Sequence, residues 1–200
     1  MTAQARRARQ KQATREGILR AALTIGEQEG WPAVTIRRIA DAVEYTSPII
    51  YQYFASKEAA LQAVMAQGYE RLRLALQAAG AEPDPERRLR ELCRAYLRFA
   101  QDHPALYELM TGLGGVRLDG RARHQAASGV VRLTLETIEA WARHRGVSLP
   151  DSLAASETAW GVLHGMATLG LLEDIGFERA RVLAENAVSA LLRSWEAPMA

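Results

Sequence analysis

Apolar side chains recur along most of the chain at the three- and four-residue spacing of an amphipathic helix. Between Thr14 and Gly30, for example, Ile18, Leu19 and Ala22 fall on one face of a helix that ends at the glycine. No segment alternates apolar and polar residues as a half-buried strand does. The pattern therefore predicts an all-α protein with about nine helices.

The segment from Thr35 to Lys57 predicts two short helices joined by a tight turn. Thr35 precedes the first apolar run, where its hydroxyl can cap a helix N-terminus. After a break, the pattern restarts near Pro48, a residue that is favoured in the first turn of a helix, and continues to about Phe54. A helix this short is not stable alone and must pack on its neighbours. Two such helices, the second rich in tyrosine and hydroxyl groups, are typical of a helix-turn-helix.

Positive charge is concentrated in the same part of the chain. Residues 1–57 carry nine Lys or Arg against five Asp or Glu, a net charge of +4, whereas the remainder carries 16 against 18, a net charge of −2. This asymmetry favours a polyanionic partner such as DNA. Residues 1–13 are basic and lack apolar periodicity, so they predict a loose arm. The arm either contacts DNA or is a solvated tail.

The helix-turn-helix segment resembles the DNA-binding signature of the TetR family of bacterial transcription regulators. The matching parts are Ile39-Ala40, Thr46, the run Ile50-Tyr51-Gln52-Tyr53-Phe54, and Ser56-Lys57-Glu58. The Tyr-x-Tyr-Phe-x-x-Lys portion is the most diagnostic. The turn departs from the family pattern, because Glu44 replaces the usual glycine and Tyr45 replaces a small aliphatic residue. A residue other than glycine there must adopt an unusual backbone angle or shift the turn.

The resemblance implies which side chains contact double-stranded DNA. Tyr51, Tyr53 and Lys57 are expected to face the DNA backbone, and the residues of the turn and second helix are expected to lie near base edges or phosphates. Gln52 has the amide chemistry for a bidentate pair with adenine. The N-terminus of the helix that follows Thr35 suits a phosphate. The predicted DNA-binding residues are Thr35, Arg37, Arg38, Tyr45, Thr46, Ser47, Tyr51, Gln52, Tyr53 and Lys57.

The pattern divides the chain into a basic arm (1–13), a helix-turn-helix domain (14–57) and a helical ligand-binding and dimerisation domain (58–200). The fourth helix follows Ser56 without a long break, so we expect it to link the two domains mechanically. Gly161 and Gly165 lie one helical turn apart and allow another backbone to approach closely. The TetR resemblance implies that the last two helices form an isologous homodimer.

The C-terminal domain also carries candidate ligand-binding residues. The string Trp160-x-x-x-His164-Gly165 resembles the WHG type of C-terminal domain found in some of these regulators. His164 is either a polar anchor for a ligand or a histidine of the core or the dimer interface. Large apolar side chains on neighbouring helices would line a cavity or form ordinary core. The candidate ligand-binding residues are Tyr96, Phe99, Met110, Trp160 and His164.

Other functions find little support in the sequence. The four histidines are far apart, so we expect no metal site, and no motif for a catalytic nucleophile or a phosphate-binding loop occurs, so we expect neither an enzyme nor a cofactor. The single cysteine, Cys93, lies on an apolar helix face and is interpreted as a core residue. Without a signal peptide or a spanning segment, the protein is expected to be cytoplasmic.

The function that these observations predict is that of a homodimeric regulator that binds a palindromic operator. We expect a repressor that is released from DNA by a small, largely apolar ligand. Two alternatives stay open at this point: an all-helical DNA-binding scaffold without a ligand, and an all-α enzyme with a corner that resembles a helix-turn-helix. A convergent cluster of titratable groups in a deep pocket would favour the enzyme.

Overall fold

The computed structural model describes residues 2–196, and every regular element in that range is helical. This confirms the predicted all-α class. Met1 of the predicted arm and residues 197–200 of the predicted C-terminal domain lie outside the described residues. The elements are α1 Ala3–Glu29, a short 3₁₀ turn Trp31–Ala33, α2 Ile36–Ala42, α3 Ser47–Tyr51, α4 Lys57–Ala79, α5 Pro85–Asp102, α6 Pro104–Thr111, α7 Gly120–Arg145, α8 Ser152–Leu171 and α9 Gly176–Glu196.

Side-chain caps fix the start of several helices, as the sequence predicts. The hydroxyl of Thr35 accepts a hydrogen bond from the Arg38 N–H at 3.2 Å, which caps α2. Asp84 caps α5 in the same way, with 2.9 Å to the Arg87 N–H, and Pro85 occupies the first helical position. These bonds satisfy backbone donors that a helix leaves unpaired at its N-terminus.

The N-terminal segment is helical, so the prediction of a loose arm over residues 1–13 is wrong for the residues that the structure describes. Helix α1 begins at Ala3, and the Thr2 hydroxyl accepts a hydrogen bond from the Ala5 N–H at 3.3 Å. Residues 3–13 are all Ala, Arg, Gln or Lys, which are strong helix formers. Extending an existing helix costs little once its first turn has formed. The high helix propensity of these residues therefore explains why α1 extends beyond its apolar part.

Helix α3 is shorter than predicted. It ends at Tyr51, whereas the sequence pattern continues to Phe54. The last turn tightens, because the Gln52 N–H bonds to the Ile49 carbonyl three residues back at 3.1 Å. Phe54 is nevertheless buried, and the Arg15 guanidinium of α1 lies 5.0 Å from the centre of its ring. That cation–π contact ties the end of α3 to α1.

Close contacts group the chain into two compact units. The first unit contains the residues up to Gly68 together with Ala105–Ala126, and the second contains Tyr69–Pro104 together with the residues from Ala127 onward. Helix α6 therefore belongs to the same unit as the helix-turn-helix, whereas the sequence assigns everything after Lys57 to one C-terminal domain. The predicted domain boundaries stay predictions.

The buried indole of Trp31 is the centre of the first unit. Its Nε1–H donates a hydrogen bond to the Ala105 carbonyl of α6 at 2.7 Å, and the side chain is 1% exposed. Two glycines make room for the ring: a Cβ atom at Gly26 would lie 2.6 Å from it, and one at Gly114 would lie 2.5 Å from it. Trp31 thus fastens α6 to the end of α1, a contact between residues 74 positions apart in the sequence.

In the second unit, α5 packs against α8 and α9. Cys93 is buried on the inner face of α5, where burial raises the pKa of its thiol to about 12, and its interpretation as a core residue is confirmed. Across the same interface, Arg94 of α5 pairs with Glu185 of α9 at 3.0 Å. The hydrogen bonds and charge of Arg94 lower the pKa of the Glu185 carboxyl.

Two properties of the described chain bear on other function classes. Between residues 2 and 196, no helix is both long enough and apolar enough to cross a membrane. Over the same range, no three His, Cys, Asp or Glu side chains are grouped so that they could hold a metal ion.

Candidate nucleic-acid interface

The turn between α2 and α3 keeps a tight geometry despite its unusual residues. Glu44 has φ 56°, in the left-handed region that glycine adopts most easily. The Tyr45 N–H then bonds to the Ala40 carbonyl at 2.9 Å, which closes the turn. Of the two alternatives that the sequence leaves open at Glu44, an unusual backbone angle or a shifted turn, the structure shows the unusual angle. A left-handed residue costs about 1–2 kcal/mol, so the packing of the two helices must compensate for it.

Helix α3 presents a buried side and an exposed side. Ile50 is 0% exposed and anchors the helix to α2, whereas the adjacent Tyr51 is 53% exposed. Tyr45, in the turn, is 42% exposed, and Gln52 follows Tyr51 at the surface. Both tyrosines are therefore exposed at positions that the sequence predicts to contact DNA. Two further predicted contact residues precede Tyr51: Thr46 at the N-cap position and Ser47 at the first position of α3.

The start of α4 adds a cation and a well-ordered N-terminus. The Ser56 hydroxyl accepts a hydrogen bond from the Ala59 N–H at 3.1 Å and caps the helix. Hydrogen bonds from its own backbone N–H and from Ser56 lower the pKa of the Glu58 carboxyl. The Nζ of Lys57 lies 3.5 Å from the Pro32 carbonyl, and Tyr53 is half-buried nearby in sequence. Lys57 is thus the first residue of α4, directly after its N-terminal cap.

The two arginines of α2 have different surroundings. Arg38 pairs through both terminal nitrogens with the Glu29 carboxylate at the end of α1. Hydrogen bonding between the two raises the pKa of Arg38 and lowers that of Glu29. The side chain of Arg37 is 89% exposed, and its Nε lies 4.0 Å from a carboxylate oxygen of Asp41. Arg37 is therefore available to a ligand, whereas Arg38 holds α2 against α1.

A groove of about 410 Å³ separates the N-terminal part of α1 from the turn and α3. Its α1 wall consists of polar and basic side chains that sequence reasoning did not single out. They occur at i, i+3, i+4 and i+7, the spacing of one helix face, and that periodicity in polar residues is the signal that could have identified them. The lining residues are Arg7, Gln10, Lys11 and Thr14 on one wall, and Tyr45, Ile49, Gln52 and Tyr53 on the other.

The candidate ligand-binding residues are divided between the two units. Met110 is buried in the first unit, and Tyr96 and Phe99 are buried on α5 in the second. Trp160, also in the second unit, is 52% exposed on α8 and stacks on His164 with ring centres 5.3 Å apart. Burial lowers the pKa of the His164 imidazole. The assignment of these residues to a ligand stays a prediction.

Comparison with known proteins gives family matches to both parts of the chain. Residues 18–64 match the model described as "Bacterial regulatory proteins, tetR family". Residues 89–191, more than half of the chain, match the model described as "Tetracyclin repressor-like, C-terminal domain". The first match covers the helices that carry the candidate DNA-binding residues.

Two bacterial relatives extend the likeness over most of the chain. An HTH-type transcriptional regulator of Mycobacterium tuberculosis is 27% identical over 173 residues, which cover 84% of this chain and 76% of that protein. The HTH-type transcriptional repressor NicS of Pseudomonas putida is 32% identical over 148 residues, which cover 67% of each chain.

Solved structures share the fold. FadR, a fatty acid degradation regulator from Bacillus halodurans, aligns with a TM-score of 0.71 at 20% identity and covers 89% of this chain and 94% of its own. PfmR, a TetR family transcriptional regulator from Thermus thermophilus, aligns with a TM-score of 0.62 at 22% identity, with coverage of 88% and 97%. Because both the N-terminal helices and the C-terminal helices match its models, this chain belongs to the TetR family of bacterial regulatory proteins and is a DNA-binding transcriptional regulator.

Proposed function

We propose that the protein is a homodimeric repressor that binds a palindromic operator and leaves it when a small, largely apolar ligand binds. The exposure of Tyr51 and Tyr45 beside the fully buried Ile50 is the observation that carries the DNA-binding part. The second helix of the helix-turn-helix, α3, is the recognition helix of this proposal. Two recognition helices related by a two-fold axis would enter major grooves about 34–36 Å apart. The operator is therefore expected to consist of two inverted half-sites.

Within each half-site, the proposed contacts fall into two kinds. Tyr51, Tyr53 and Lys57 bind the sugar–phosphate backbone and fix the register of the helix, without reading the sequence. Gln52 reads adenine through its amide, a contact worth about 1–3 kcal/mol of discrimination against other bases. The other predicted residues complete the surface: Thr35, Arg37, Arg38, Tyr45, Thr46 and Ser47. Of these, Arg38 acts through the position of α2, because Glu29 already occupies its guanidinium.

The dimer is proposed to form through α8 and α9. One face of α8 is open: a Cβ atom at Gly161 or Gly165 would meet nothing within 4 Å, and Trp160 is half exposed on the same helix. Leu153 and Leu172, at the two ends of α8, are 47% and 65% exposed. Open glycines bordered by exposed apolar side chains suit the close approach of a second helix. In an isologous dimer, that partner is the same face of a second copy.

Trp160→Glu is expected to convert the dimer into a monomer. In an isologous dimer each subunit contributes the same face, so the change buries two carboxylates in the proposed interface. We expect the dimer dissociation constant to rise at least about 100-fold. Size-exclusion chromatography with light scattering measures the mass over a range of concentrations. Val131→Glu, at a residue of α7 that is 43% exposed, is the matched control. An unchanged mass for Trp160→Glu, or equal dissociation of the control, would place the interface elsewhere.

The ligand part of the proposal relies on α4, which begins beside the recognition helix at Lys57 and continues to Ala79. Its first residues belong to the first unit and those from Tyr69 onward to the second. A ligand among the buried aromatic side chains of α5 would shift the far end of α4 and so change the spacing of the recognition helices. Coupling of this kind is typically about 1–3 kcal/mol.

Selection of DNA fragments by the full-length protein tests the proposed function. We expect an enriched sequence with inverted repeats, bound by one dimer in a mobility-shift assay. Fatty acids of increasing chain length are the first ligand probes, since the fold neighbour FadR is a fatty acid degradation regulator. Release of the selected fragment by one of them would support an apolar ligand. Failure to enrich any sequence would refute operator recognition, and release by polar metabolites alone would refute the ligand class.

A further inference from the structure

One face of α1 is apolar in its C-terminal part and polar and basic in its N-terminal part. Ile18, Leu19 and Ala22 are buried in the first unit. Continuing the same helix face toward the N-terminus gives Thr14, Lys11, Gln10 and Arg7, which line the groove opposite α3. The face is therefore apolar where α1 packs on other helices and polar where α1 extends beyond them. Because the extension is helical from Ala3, its backbone is held beside α3, and the side chains of this face point into the groove.

The N-terminal part of α1, which forms one wall of the groove, carries only positive charge. Residues 1–15 contain five Arg or Lys and no Asp or Glu. In the part of the chain that the structure describes, no acidic side chain lines the groove. Among the described residues 2–196, neither Arg7 nor Lys11 forms an ion pair with a carboxylate. Arg7 and Lys11 are four residues apart on the same face of α1, which corresponds to about one helical turn and a rise of about 6 Å along the helix axis. Two unpaired cations at this distance suit successive negative groups of a polyanion.

The other wall of the groove, formed by the turn and α3, indicates that the polyanion is DNA. Tyr45, Gln52 and Tyr53 line the groove and are also proposed DNA contacts. We propose that the groove holds the sugar–phosphate backbone of one operator strand beside the recognition helix, with Arg7 and Lys11 bound to phosphates. Gln10 and Thr14 donate hydrogen bonds to the same strand. This inference rests on the proposed operator binding and adds a second DNA-contacting element to it.

The helical state of the extension has a consequence for binding energy. A disordered arm loses conformational entropy when DNA orders it, whereas a preformed helix has already lost that entropy during folding. Contacts to phosphates add affinity with little dependence on base sequence. The groove should therefore raise affinity for every duplex and lengthen the protected backbone on each half-site, without changing which sequence is preferred.

The salt dependence of DNA binding tests whether Arg7 and Lys11 of the groove bind phosphates. The probe is the duplex enriched by wild-type protein from a random-sequence pool, with a scrambled duplex of equal length beside it. The test variant is the full-length Arg7→Gln/Lys11→Gln protein, and Arg6→Gln/Arg9→Gln is the control, since it removes the same charge from α1 off the groove-lining stripe. Glutamine preserves helix propensity, and circular dichroism verifies the fold.

For the test variant, we expect the slope of log K against log salt to become shallower by about 0.9 for each phosphate contact that the dimer loses, counted over both subunits. Affinity for the enriched and scrambled duplexes should fall by similar factors, of at least about tenfold at low salt. The control should change the slope by less than half as much. Equal effects of the two double variants, or no effect of Arg7→Gln/Lys11→Gln, would overturn the groove proposal. Failure of wild-type protein to enrich a duplex would instead refute the operator binding on which it rests.

Discussion

Replacing Tyr51 with alanine is expected to abolish operator binding at protein concentrations that saturate the wild type. The side chain is 53% exposed and lies outside the buried core, so we expect its removal to delete the DNA contact and to leave the fold intact. A hydrogen bond from Tyr51 to a charged phosphate contributes about 1.5–3 kcal/mol, and a dimer loses that bond in both half-sites. The combined cost of about 3–6 kcal/mol corresponds to a fall in affinity of about 100-fold or more. A mobility-shift titration against the selected fragment measures it.

Lys57→Ala is expected to have an effect of the same kind, with a shallower salt dependence, because it removes a phosphate contact. Leu74→Ala is the control for both variants, since Leu74 is 51% exposed on α4 and lies outside the helix-turn-helix. Helicity and dimer mass should be unchanged in all three proteins. If Tyr51→Ala and Lys57→Ala bind the fragment as the wild type does, the DNA-binding surface has been assigned to the wrong face.

Trp31→Ala is expected to produce the largest loss of stability of any single truncation in the first unit. It removes a fully buried indole together with its hydrogen bond to the Ala105 carbonyl. Substitutions of buried Trp or Phe by Ala typically cost about 3–5 kcal/mol of unfolding free energy. Urea unfolding followed by circular dichroism measures the change. Leu113→Ala is the control, because Leu113 is 50% exposed in the same unit.

Trp31→Phe separates packing from hydrogen bonding at this position. It keeps an aromatic ring in the space left by Gly26 and Gly114, but removes the indole hydrogen bond to the Ala105 carbonyl. We expect it to cost about 1–3 kcal/mol, between the control and Trp31→Ala. A loss below about 1 kcal/mol for Trp31→Ala would contradict the view that the indole holds the unit together.

Local features of the fold could be predicted from the sequence because their causes lie within a few residues. Caps such as Thr35 and Asp84 act on the backbone three positions ahead, and both were predicted. The burial of Ile50 follows from helical periodicity. The left-handed angle at Glu44 is one of the two alternatives that the position of that residue in the turn of the TetR signature allows. The family itself was predicted from the same short signature.

Features that depend on distant residues could not be predicted in this way. The helical start of α1 was missed because apolar periodicity, the signal used for the other helices, is absent where a helix carries no core residues. The pairing of Arg38 with Glu29 and the packing of α6 beside Trp31 join elements whose proximity only the folded chain determines. Among the candidate site residues, this explains why Arg38 appeared available and why the α1 wall of the groove was overlooked.

The attachment of α6 to Trp31 limits how such a regulator can be recombined with another. A hybrid that takes only the chain up to Lys57 from this protein would keep the indole but replace the Ala105 carbonyl, which accepts its hydrogen bond. The foreign segment would also have to supply the glycine at position 114 that leaves room for the ring. Engineered fusions should therefore transplant Pro104–Thr111 and the loop after it together with the N-terminal helices, although these pieces are far apart in the gene.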